Sequence, residues 1–153
     1  MPTVLRLDPH DTKLGLLTPF LAQRIEQYAE AYQPEVLPSE YASAVMAKLW
    51  MGDPSILALG LVDPDSAKLV GHALAVLERF GSRARVELVQ LQADQNVGEA
   101  RYQAVQHVLG WAKEMGSTQV FILSHRDGKE FESRFGGKRC RTVHRINGAT
   151  PEG

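Results

Sequence analysis

The chain has 153 residues, of which 44% are hydrophobic and 23% are charged, and its formal net charge is −1. This length and composition are typical of one ordered globular domain and argue against a disordered or fibrous protein. The near-neutral balance gives no general attraction to nucleic acid or to anionic membranes. The stretch from Arg126 to Arg145 is locally basic, which fits either an ordinary solvated surface or a phosphate-rich ligand.

The cysteine content and the hydropathy of the chain indicate the cellular compartment of the protein. Cys140 is the only cysteine, so an intrachain disulfide cannot form. Met1 to Asp8 lacks the pattern of a secretory signal, and no stretch reaches the roughly 18 apolar residues of a membrane span. These features predict a cytoplasmic protein without a membrane segment. His107 and His144 lack the spacing of metal ligands, so no metal site is predicted.

The N-terminal part predicts one strand and two helices. Thr3 to Leu7 has the alternation of a short strand. Thr18-Pro19 is typical of a helix start, with threonine as the cap and proline at the first helical position, and Pro34 ends this helix. A second amphipathic helix opens at Pro38 and ends before Gly52-Asp53-Pro54.

Three segments with a strand pattern follow. They are rich in Leu, Val and Ala and contain few helix caps: Ser55 to Val62, Lys68 to Phe80 and Arg83 to Leu91. Gly81-Ser82 is short enough for a two-residue hairpin, in which glycine supplies the positive φ that the turn requires. These segments predict an antiparallel meander.

The C-terminal part returns to helical spacing and then alternates. The helix predicted from Gly98 to Met115 ends at Gly116, as a left-handed glycine commonly does. Gln119 to Ser124 is almost continuously apolar, which predicts a strand covered on both faces and parallel to a neighbour. A short helix from about Lys129 to Phe135 and a last strand from Arg139 to Ile146 complete the predicted elements.

The segment Gln95-Asn96-Val97-Gly98-Glu99-Ala100 precedes the long C-terminal helix. Small residues there let the backbone approach a ligand, and amides at a helix start favour an anion. Its Gln-x-x-Gly-x-Ala pattern, within this order of elements, resembles the GNAT superfamily of acyl-CoA N-acyltransferases over nearly the whole chain. The resemblance implies one α/β (α+β) domain over residues 1–147, with a flexible tail over 148–153. The implied sheet is mixed, mostly antiparallel, with six or so strands flanked by helices in the order β-α-α-β-β-β-α-β-α-β.

The same resemblance implies a binding site for acetyl-CoA. Backbone amides of the loop would bind the pyrophosphate, and the end of the preceding strand would bind the pantetheine arm. The residues implied in cofactor binding are Val89, Leu91, Gln95, Val97, Gly98, Glu99 and Ala100. The implied reaction transfers an acetyl group to a primary amine of a small molecule or a protein, by direct attack in a ternary complex.

Amine acetylation requires a base, donors for the oxyanion and a proton for the departing thiolate. Glu87 lies in the strand where many family members keep a catalytic glutamate, and the alternative interpretation is an exposed or cross-strand-paired carboxylate. Glu78 is the second carboxylate candidate. His125 takes the place of a common family asparagine and is the other catalytic candidate. His72 could titrate near neutral pH, but its apolar strand neighbours favour a hydrogen-bonded structural histidine.

The stretch after the fifth strand departs from the family pattern. Glu132 stands where a tyrosine that protonates the thiolate is expected, and a carboxylate would repel that thiolate. Two hypotheses follow. The protein is an N-acetyltransferase with another proton donor, or it is a GNAT-fold binding or structural subunit of a larger assembly, bacterial or phage-borne. Both hypotheses are compatible with a homo-oligomer.

Overall fold

The computed structural model describes residues 2–95, 97–117, 119–123 and 129–138. A first compact unit ends at Leu123, and residues 129–138 belong to a second unit. The strands are β1 (Thr3–Arg6), β2 (Ile56–Val62), β3 (Leu69–Phe80), β4 (Arg83–Ala93) and β5 (Val120–Ile122). The helices are α1 (Thr18–Tyr32), α2 (Pro38–Trp50), α3 (Gly98–Glu114) and, in the second unit, α4 (Lys129–Phe135).

The five strands form one mixed sheet in the order β1-β2-β3-β4-β5. The first three pairings are antiparallel, and β4 pairs with β5 in parallel. This confirms the predicted α+β class and the mostly antiparallel sheet, with five strands rather than six in the described part of the chain. The predicted strand Arg139 to Ile146, the boundary at residue 147 and the tail lie outside the described residues.

The sheet has an apolar layer on each face. Alternate residues of a strand point to opposite faces, so one strand serves both layers. One layer joins α1 and α2 to the sheet: Leu7, Leu21, Ile25, Ala42, Val45, Met46, Leu49, Ile56, Ala58, Val62, Leu69, Leu74 and Val89. The other lies against α3, where Ala104, Val105 and Val108 are fully buried. Each fully buried Val or Leu contributes about 1.5–3 kcal/mol.

The start of α1 differs from the prediction. A 3-10 helix, Leu14–Leu17, runs directly into α1, so Leu17 is the N-cap residue and its side chain makes no capping bond. Thr18 already has helical angles (φ −54°, ψ −46°), and its N–H donates to Gly15 O. The predicted threonine cap is therefore wrong, because a cap residue must stand outside the helical conformation.

Gly71 on β3 is a position where the backbone leaves no room for a side chain. A Cβ there would lie 2.6 Å from Gln92 O and 3.1 Å from Ala93 Cα, both backbone atoms of β4. Gly71→Ala is expected to lower the free energy of unfolding by about 1–3 kcal/mol because the strands must separate. Gly110→Ala is the control: no described atom lies within 4 Å of a Cβ in this exposed α3 position. That change should raise stability by about 0.5–1 kcal/mol in urea titrations, and equal effects of both changes would contradict the steric argument.

Candidate cofactor site

The start of α3 is exposed in the part of the chain that the structure describes. Val97 is the N-cap residue, and within the described residues no side chain bonds to the cap of this helix. Gly98 and Glu99 are exposed, and no described atom lies within 4 Å of a Cβ built on Gly98. Only Ala100, the last constrained position of the loop, is buried. No described side chain therefore covers the positive end of the helix dipole at Gly98, an arrangement that suits an anion.

The loop that enters α3 is a tight turn. Val97 N–H donates to Asp94 O at 3.4 Å, and Ala100 N–H donates to Val97 O at 3.0 Å. Gln95 lies exposed in the turn, and its neighbour Asn96 is outside the described residues. The motif residues thus connect the last residue of β4 to the first turn of α3 within a few positions.

A β-bulge interrupts β4 just before this loop. Leu74 of β3 pairs with Gln90, whereas the next residue, Ala75, pairs with Leu88, so Val89 is the extra residue. A bulge lets two successive side chains leave on one side of the strand. Val89 packs into the layer under α1 and α2, and Gln90 Nε2 donates to Ile25 O on the same face.

The described pairing of β5 with β4 reaches the bulge. The last parallel pair is Leu88 with Ile122, and Leu123 N–H donates to Leu88 O at 3.2 Å. β4 continues to Ala93 without a described β5 partner. The predicted pantetheine residues Val89 and Leu91 lie on β4 beyond its last described pair with β5, with Val89 buried and Leu91 half-buried.

Tyr28 of α1 reaches the backbone of β4 at Leu91, beyond the bulge. Burial raises the pKa of Tyr28, and a hydrogen bond with the Leu91 backbone opposes that effect. The hydroxyl group thus keeps its proton near neutral pH. The sequence offered no sign of this contact, because Tyr28 reads as one more apolar position of α1.

Glu87 lies two residues before the bulge and faces α1 and α2. Its cross-strand partner Val76 packs against that layer, which fixes the face. The carboxylate forms an ion pair with Arg85 and is 15% exposed. The Arg85 guanidinium lies 4.7 Å from the ring centroid of Phe121 on β5. The alternative candidate Glu78 is exposed at the end of β3, opposite Arg85.

The remaining sequence candidates belong to the C-terminal part. His125 lies outside the described residues. α4 has the predicted bounds, and within it Glu132 is half-buried and its carbonyl accepts the Gly136 N–H at 3.0 Å. Gly136 has φ +69°, which fits a left-handed residue after a helix.

His72 is the centre of a buried polar chain that sequence reasoning found only in part. Gln90 Nε2 donates to Gln33 Oε1 at 2.8 Å, so Gln90 Oε1 faces His72 Nε2 at 2.8 Å and accepts its proton. The predicted structural histidine is thereby confirmed. Nδ1 is then a bare acceptor, and it has no partner among the described residues. Gln33 also bonds to the Tyr41 hydroxyl.

Full burial lowers the pKa of His72 to about 4. The Arg24 charge acts in the same direction, and the Gln90 bond opposes it. The unfolded chain, with a histidine pKa near 6.5, therefore binds the extra proton between about pH 6.5 and 4. The neutral His72 ring therefore contributes its full stabilisation above about pH 6.5, and this contribution is lost as the pH falls towards 4.

We expect this loss to reach about 3 kcal/mol of unfolding free energy between pH 6.5 and 4. Urea unfolding at a series of pH values measures it. The matched variant is His72→Gln, whose side chain does not titrate. Its unfolding free energy should fall less steeply with falling pH, by the slope that corresponds to the uptake of about one proton. Parallel pH profiles for the two proteins would contradict the assignment.

Comparison with solved structures supplies the fold family. A probable acetyltransferase superposes with a TM-score of 0.71 and 10% identity, covering 94% of this chain and 95% of its own. The chain has the GNAT fold. Glucosamine-6-phosphate N-acetyltransferase from Arabidopsis thaliana has a TM-score of 0.69 at 10% identity, covering 95% of this chain and 97% of its own.

A third GNAT-fold neighbour is a "predicted acetyltransferase" from Clostridium acetobutylicum, solved with acetyl-CoA. It has a TM-score of 0.67 at 13% identity and covers 96% of each chain. No family model and no curated protein matches the sequence. At these identities the likeness establishes the fold alone.

Proposed function

We propose that this GNAT-fold protein is an acetyl-CoA-dependent N-acetyltransferase that acts on a primary amine. The observation that carries the proposal is the exposed start of α3 at Gly98, which no described atom covers and which follows the end of β4 within a few residues. A diphosphate binds backbone amides at a helix start, and Gly98 is an exposed position of this start. The acetyl-CoA in the Clostridium acetobutylicum structure supports this choice of co-substrate.

Each predicted cofactor residue has a role in this proposal. Loop residues bind the pyrophosphate, and the β4 backbone after the bulge binds the pantetheine arm. The assigned residues are Gln95, Val97, Gly98, Glu99 and Ala100 for the first role and Val89 and Leu91 for the second. Bound acetyl-CoA supplies the activated acyl group.

Glu87 is the proposed base. Its carboxylate takes a proton from the amine through a water molecule, so that the neutral nitrogen can form the new C–N bond. The C–S bond then breaks, and the thiolate takes a proton. His125 remains a second catalytic proposal, at a position outside the described residues.

A binding or structural subunit of a larger assembly is the second candidate function. One observation favours it: the Glu87 carboxylate, which a base must keep available, forms an ion pair with Arg85. Size-exclusion chromatography with a pull-down distinguishes the two. A stoichiometric macromolecular partner, with no thiol release from acetyl-CoA in the presence of amines, supports the subunit.

Calorimetric titration with acetyl-CoA tests the leading proposal. Saturable binding at millimolar concentration or below is expected, followed by thiol release with a panel of primary amines. No heat and no thermal shift at millimolar acetyl-CoA would reject it. Within the described ranges, none of the helices is long and apolar enough to cross a membrane. The compartment that we propose is the cytoplasm, as in the sequence analysis.

A further inference from the structure

An ion pair joins α1 to the end of β4. Arg24 Nη1 and Nη2 donate to the two carboxylate oxygens of Asp94 at 3.1 and 3.0 Å. Nη2 also donates to Leu69 O at 2.9 Å, at the start of β3. The Arg24 side chain is 18% exposed and that of Asp94 is 50% exposed. The two-pronged contact fixes the direction of the guanidinium as well as its distance.

Asp94 also shapes the turn into α3. Its N–H donates to Val70 O at 2.9 Å, and its carbonyl accepts the Val97 N–H at 3.4 Å. The residue that holds Arg24 is therefore the one from which the cofactor loop starts.

The charge of Asp94 presents a problem for an anion site. A half-exposed carboxylate next to a diphosphate loop would repel the ligand, because like charges a few ångströms apart interact unfavourably. The guanidinium of Arg24 cancels that charge where it stands. We propose that Arg24 is a positioning residue for acyl-CoA binding: it holds the Asp94 carboxylate in place and neutralises its charge beside the loop.

This inference rests on the proposed function and goes beyond a contribution to stability. Exposed ion pairs commonly add little to folding stability. α1 is already held by Leu21 and Ile25, which are almost fully buried in the layer beneath it. Apolar contacts therefore hold α1 on the sheet without the ion pair, and the ion pair acts on the loop that starts at Asp94.

A double-variant cycle tests the inference. Acetyl-CoA affinity is measured by calorimetry for the wild-type chain, Arg24→Gln, Asp94→Asn and the double variant, with melting curves as the check on folding. Arg24→Gln leaves the carboxylate uncompensated and should weaken binding about tenfold. The double variant removes both charges and should recover to within about threefold of wild type.

The outcomes separate the two claims. Unchanged binding by a folded Arg24→Gln, or loss that the double variant does not recover, overturns the inference and leaves the proposed function standing. Absence of wild-type binding overturns the proposed function and the inference together. If Arg24→Gln does not fold, Asp94→Asn decides alone: it leaves the Arg24 charge uncompensated beside the loop, so binding about threefold or more tighter than wild type supports the neutralising role, and unchanged or weaker binding overturns it.

Discussion

Gly98→Trp is expected to weaken acetyl-CoA binding by at least about 100-fold while leaving the protein folded. A Cβ at Gly98 meets no described atom within 4 Å, so the indole can extend outwards without disturbing the core. It then fills the space in front of the first turn of α3, which a diphosphate must enter to reach the amides. Calorimetric titration measures the loss, and a melting curve verifies the fold.

The same helix provides the matched control for this experiment. Gly110 in α3 is also exposed, with no described atom within 4 Å of a Cβ. Gly110→Trp adds the same side chain three turns further along and should bind acetyl-CoA with wild-type affinity. Equal affinities of both variants would remove the start of α3 from the cofactor site.

Local patterns were enough to predict most elements of the fold. The Gly81-Ser82 hairpin forms as expected, with Gly81 at φ +62°, because a two-residue turn depends on the residues within it. Gly116 ends α3 at φ +84° for the same reason. Helical spacing predicted α3 itself because that spacing is set by residues close together along the chain.

The register between strands and the long-range polar pairs could not be predicted from the sequence. The bulge at Val89 leaves no sign in a strand pattern, since it depends on how β3 and β4 pair. Arg24 and Asp94 are 70 positions apart and each looks like an ordinary surface charge. The open start of α3 is the exception among site features, because its small residues are adjacent in the chain.

Glu87→Gln is expected to lower kcat by about 100-fold or more if this carboxylate is the base, because general-base catalysis is typically worth that much. The affinity for acetyl-CoA should stay within error of wild type, since Glu87 lies before the bulge and away from the loop. Glutamine keeps the size of the side chain but cannot take the proton. Thiol release under saturating acetyl-CoA, once an acceptor amine is found, gives kcat.

Arg85→Met supplies the comparison that separates catalysis from structure. Both variants break the Arg85–Glu87 ion pair, and methionine preserves much of the contact with Phe121. If the pair only holds β4 to β5, the two variants should lose similar stability and neither should lose kcat selectively. If Glu87 is the base, Arg85→Met should retain most of the turnover that Glu87→Gln removes, because its carboxylate is still present beside the bulge.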